Sequence, residues 1–136
     1  MRTHRLDAAT DTVHWGFFDA ALKPLMTVDP GDTITISTVS GIPNQLPPPD
    51  SGLTIPAVLP AILKTVPQRL GPHILTGPVA VRGAKAGQVL EVRIKSIELN
   101  YDWGYNVIRP LACALPDDFD TARLIHIPLD RGRMVG

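Results

Sequence analysis

Proline and glycine, spread along the whole chain, constrain this sequence more than any other feature in it. Fourteen prolines and eleven glycines occur without a repeat period among 136 residues. Proline fixes φ and removes a backbone donor, while glycine accepts conformations other residues avoid, so regular elements between them must be short. The apolar fraction is 44%, which is that of a globular chain, and a domain of this size buries roughly two thirds of its unfolded surface. Short strands joined by tight turns are therefore favoured over long helices.

The hydrophobic pattern places those strands. Thr12 to Trp15 and Thr33 to Ser37 have strand propensity, and in the second the alternation predicts one face against a core. Val89 to Leu99 is the clearest strand, with Leu90, Val92 and Ile94 on one face and Glu91, Arg93 and Lys95 on the other. Its apolar phase then flips to Ile97 and Leu99, which predicts a bulge near Ser96. Arg123 to Leu129 reads as another strand. A helix is expected over 57–66, because Val58, Ile62 and Val66 recur every four residues and Pro67 ends the pattern. Residues 1–11 read as a loose leader or an edge segment before an ordered domain that starts near Thr12, and Gly41 to Gly52 reads as an irregular loop. The expected fold class is mainly β, a sandwich or barrel-like domain with one short helix near 57–66.

Charge narrows the partners. Thirteen basic and thirteen acidic residues cancel, so no field draws the chain to nucleic acid or an anionic membrane. No stretch is long and apolar enough to span a bilayer, and the start lacks the pattern of a secretory signal. The chain reads as cytoplasmic, with neither nucleic acid nor membrane as a partner. The single Cys113 excludes an internal disulfide and, between two alanines, reads as inertly buried. A serine elbow, phosphate loop, dinucleotide fingerprint, paired-cysteine zinc site and HExxH motif are all absent, and no organic cofactor is implied.

Chemistry is densest at Gly71-Pro72-His73-Ile74-Leu75-Thr76-Gly77-Pro78. Two glycines and two prolines can hold a loop in a fixed path while presenting an imidazole and a hydroxyl. His73 is a candidate general base or neutral metal ligand there; the other reading is a rigid turn. His14, beside Trp15, either covers a small ligand or fills a core wedge. Asp102-Trp103-Gly104-Tyr105-Asn106 either contacts a polar substrate or is turn chemistry. His126 reads as structural, and Asp117, Asp118 and Asp120 read as an exposed turn without calcium-loop spacing.

Taken in order, several segments resemble the first part of the acetamidase/formamidase family. They are His14-Trp15-Gly16, Val28-Asp29-Pro30-Gly31-Asp32, the Gly71 to Pro78 segment, Val81-Arg82-Gly83-Ala84, Val89-Leu90-Glu91-Val92 and Trp103-Gly104. The GPHxLTGPxxxxGA pattern is the most specific of them, and the likeness runs from about His14 to the end. The resemblance implies hydrolysis of a short aliphatic amide such as formamide or acetamide to ammonia and a carboxylate. It implies His73 and Thr76 as catalytic residues, and His14, Gly77, Asp102 and Trp103 as substrate-binding residues. It also allows a divalent metal, zinc or calcium, with His73 as a ligand, and implies a homo-oligomer. Gln88 departs from an acidic residue common before the strand. The family's second half is expected to follow Gly136 or to be supplied by a partner, so this chain alone is expected to be an incomplete enzyme. The alternative is a non-catalytic β-rich binding or oligomerisation domain.

Overall fold

The computed structural model of the chain describes residues 1–112 and 114–136; Cys113, expected to be buried, lies outside them. The chain divides into two compact units, Met1–Ile42 with Ala57–Ile97 and Pro43–Pro56 with Glu98–Gly136.

The first unit holds β1 (Thr3–Leu6), β2 (Val13–Trp15), β3 (Met26–Val28), β4 (Thr33–Ile36), α1 (Val58–Thr65), β5 (Ile74–Thr76) and β6 (Val79–Val81). Three two-stranded ladders organise it: β1 parallel to β4, β2 antiparallel to β5, and β3 parallel to β6. Its core is drawn from Leu6, Ala8, Trp15, Val28, Val39, Leu59, Ile62 and Ile74.

Helix α1 follows the expected span closely. Leu59 and Ile62, three residues apart, are fully buried, so one helical face carries the packing. Pro60 is tolerated because it sits in the first turn, where its missing N–H has no intrahelical acceptor. Val66 closes the helix in an extended conformation, φ −89° and ψ 118°, as the residue before Pro67 must.

The N-terminus is not loose. Residues 3–6, within the segment read as a loose leader or an edge segment, form β1 and pair with β4 from Thr3↔Thr33 to Leu6↔Ile36. The polar composition hid a strand that buries Leu6, with Ala8 buried just beyond it, while its other side chains meet solvent or ion partners. Strand β4 is where the alternation put it, but Ile36 stays 42% exposed, so its apolar face is only partly covered.

The largest correction concerns the expected strand Val89 to Leu99. No strand or helix forms there, and Val89, Leu90, Val92, Ile94 and Ile97 are 97, 63, 73, 76 and 69% exposed. Alternation specifies the faces of a strand but not its neighbour; without a paired backbone there is no ladder. The bulge near Ser96 consequently has no ladder to interrupt.

The second unit is built on β7 (Trp103–Ile108) antiparallel to β8 (Arg123–Pro128), in register from Trp103↔Pro128 to Ile108↔Arg123. Strand β8 lies where the sequence put it; β7 occupies part of the segment read as turn chemistry. A 3₁₀ turn at Pro43–Gln45 interrupts the otherwise irregular proline-rich loop. The architecture is mainly β with one α-helix among the described residues, but its sheets stay two-stranded and no barrel closes.

Candidate active site

The β2–β5 ladder supports most of the chemistry singled out in the sequence. Its register sets Val13 opposite Thr76, His14 opposite Leu75 and Trp15 opposite Ile74. Side chains alternate along a strand, so Trp15 and Ile74, both buried, point inward and His14 and Leu75 point outward. The ladder is prolonged where Gly16 donates its N–H to the His73 carbonyl at 2.8 Å. His73 lies just before β5, where the chain leaves the strand, and is exposed. The ladder thus sets His14 beside the segment that carries His73. No hydrogen bond or ion pair engages the His73 imidazole among the described residues.

His14 is more constrained. Its Nδ1 lies 3.3 Å from the Gly77 carbonyl oxygen. A carbonyl only accepts, so the contact requires a proton on Nδ1 and leaves Nε2 of the neutral ring with its lone pair. The ring also meets Phe17 edge-on at 5.2 Å, and the Arg69 guanidinium carbon stands 5.2 Å from the Phe17 ring centroid. Sequence reading missed Phe17 and Arg69 as supports for His14; Arg69 is distant in the chain and no motif links it to them.

Gly77 is fixed from several sides. It adopts φ +127°, a region L side chains rarely enter, and precedes Pro78 through a cis peptide bond. Its N–H donates to Thr12 O at 3.0 Å while its carbonyl meets His14. Thr76 points to the inner side with Val13, where its hydroxyl donates to Ser37 O at 2.9 Å. Of the two residues paired as catalytic in the sequence, Thr76 turns inward on β5, while His73 lies exposed just before the strand.

Asp102 and Trp103 belong to the second unit. The Asp102 carboxylate accepts from the Thr54 N–H at 3.0 and 3.2 Å, and the Trp103 indole N–H donates to Thr54 O at 2.9 Å. The Thr54 hydroxyl and then its N–H hold the Asp102 carboxyl below its ordinary pKa. Trp103 is 3% exposed and meets His126 edge-on at 5.8 Å, while His126 Nε2 donates to Gln45 O at 2.9 Å. These contacts pin the Pro43–Pro56 segment to β7 and β8, the structural role read for His126.

Asp32 serves the turn that carries it. Its carboxylate accepts from the backbone N–H groups of Arg2 at 2.7 Å and Asp29 at 3.1 Å, and from His4 Nε2 at 2.8 Å. The His4 contact first, and the Arg2 amide next, hold Asp32 well below the usual carboxylate range. Among the described residues no three His, Cys, Asp or Glu side chains converge to hold a metal. His73 is then a single donor, and the described side chains do not assemble a metal site around it. No helix among the described residues is long and apolar enough to cross a membrane.

Compared with known proteins, the chain matches the family model described as Acetamidase/Formamidase family over residues 3–121. The match takes in β1 through β7 and the whole Gly71 to Pro78 segment. Comparison with curated proteins and with solved structures returned no match.

Proposed function

The chain belongs to the acetamidase/formamidase family, and from that premise we propose that it serves the hydrolysis of short linear amides, such as formamide and acetamide, to ammonia and the carboxylate. The observation that carries this reading is the β2–β5 pairing, which sets His14, held by the Gly77 carbonyl, beside the segment that carries an exposed and unengaged His73.

An amide carbonyl is a poor electrophile, so water must lose a proton as it attacks. The His73 imidazole takes that proton, the water oxygen bonds the carbonyl carbon, and a tetrahedral adduct forms. The imidazolium then returns the proton to nitrogen, the C–N bond breaks, and ammonia leaves with the carboxylic acid behind. His14 Nε2 has a lone pair to accept an N–H of the substrate amide, and Gly77 keeps that tautomer in place through its carbonyl. Thr76, bonded to Ser37, supports the strand that presents His73.

A second reading rests on the exposed apolar stretch Val89 to Ile97, which suits a binding or assembly domain without turnover. Ammonia release from formamide, acetamide and propionamide tests the first, measured on the purified chain with and without divalent metal. Turnover is expected to fall at least about 100-fold in His73→Ala, the usual scale for a lost acid–base group. A folded chain that releases no ammonia under any of these conditions would reject a self-sufficient enzyme and leave the incomplete amidase and the assembly domain, which addition of the family's second half then separates.

A further inference from the structure

The stretch from Val89 to Ile97 has the side-chain pattern of a strand but no partner strand among the described residues. We propose that a second copy of this chain supplies the partner, pairing antiparallel about a two-fold axis through Val92. The choice of occupant comes from the charges. In that register Glu91 of each copy faces Arg93 of the other, and Leu90 faces Ile94 across a central Val92 pair. Every charged residue from 91 to 93 meets its opposite, and six apolar side chains form one continuous strip.

Other self-pairings lose this match. A shift of one residue in the sum of paired positions sets apolar side chains against charged ones. A shift of two either way brings Arg93 onto Arg93 or Glu91 onto Glu91. Parallel pairing in register stacks Glu91, Arg93 and Lys95 each on its own copy, like charge on like. Within one chain Arg93 Nε already contacts Glu91 Oε1, so both side chains lie on the same side and exchange partners when the copies join. Lys95 Nζ donates to Thr33 Oγ1 at 2.7 Å, which tethers one end of the stretch to the start of β4 and leaves the Leu90 to Ile94 strip exposed.

Charge exchange tests the pairing directly. Glu91→Arg and Arg93→Glu, each alone, place like charges at both cross-copy contacts, and sedimentation across a dilution series is expected to show dissociation constants at least tenfold higher than for the unaltered chain. Mixing the two variants restores opposite charges at both contacts and is expected to recover the dimer, a result that no effect inside one chain produces. In a Cys113→Ser background, Val92→Cys is expected to cross-link to its own copy, because directly opposed Cα atoms in an antiparallel pair lie about 4.5–5.5 Å apart, within disulfide reach. Ser96→Cys, displaced from its own copy by on the order of 27 Å along the ladder, is expected not to. An unaltered chain that stays monomeric at micromolar concentration overturns the proposal. So do single variants that dimerise undiminished, a mixture that fails to recover, or a Val92→Cys chain that does not cross-link.

Discussion

Gly71 donates its N–H to the Gly16 carbonyl at 2.9 Å, and a Cβ built on Gly16 would stand 2.4 Å from Gly71 O and 2.6 Å from Gly71 N. Gly16 also holds φ +88°, so both sterics and backbone conformation demand glycine there. This contact joins the end of β2 to the segment that presents His73.

Gly16→Ala is therefore expected to destabilise the chain by about 2 kcal/mol or more, the scale of a strained backbone combined with displaced main chain. Gly71→Ala makes the control, because its Cβ would meet Gly16 O at an ordinary 3.6 Å. Urea unfolding should show a large fall in midpoint for the first and a shift of under about 1 kcal/mol for the second. Equal losses would mean that the two segments do not approach as described.

Acid should loosen the attachment of β1. Asp32 has a folded pKa well below its unfolded value, which is near 4, so the unfolded chain binds the proton more readily. The stability it contributes is full above about pH 5 and is lost as pH falls through 4 and below. Asp32→Asn removes that contribution, and its urea midpoint is expected to fall less steeply between pH 5 and pH 3 than that of the unaltered chain. Parallel pH profiles would show that the His4–Asp32 contact adds nothing.

The sequence revealed elements whose signal is local. The rise of apolar residues every four positions before Pro67 marked α1, and β2, β4 and β8 lay within runs of strand propensity. It hid elements whose signal is relational. Strand β1 looks polar because only Leu6 and the following Ala8 turn inward, and β7 looks like a turn because Gly104 and Asn106 interrupt its aromatics. Val89 to Leu99 shows the converse, a clear pattern with no backbone beside it. At the site, GPHxLTGP located the loop but not its sidedness. Only the pairing of Val13 with Thr76 and of His14 with Leu75 separates the inward hydroxyl from the outward imidazole of His14.

Thr76 gives that sidedness a kinetic test. Thr76→Val keeps the shape of the side chain and removes the hydroxyl that bonds Ser37 O. Loss of one such bond costs about 1 kcal/mol of stability, while amide turnover is expected to change less than about threefold. A fall of 100-fold or more in kcat at unchanged stability would return Thr76 to the reacting atoms.

Asp102 and Trp103 hold the two polar groups of one residue, the carboxylate on the Thr54 N–H and the indole on its carbonyl. If holding that segment is their whole work, Trp103→Phe and Asp102→Ala should each cost about 1–2 kcal/mol or more, since a smaller ring without the N–H replaces the buried indole in one and a charged acceptor is lost in the other. Their effects should also fall short of additive in the double variant, because release of Thr54 from one side slackens the other contact. KM for acetamide is expected to stay within about twofold of the unaltered chain in both. A substrate contact predicts the reverse: a KM rise in Asp102→Ala with stability preserved. Urea unfolding and ammonia-release kinetics on the same preparations distinguish the two roles, because a clamp on Thr54 moves the midpoint and a hand on the amide moves KM.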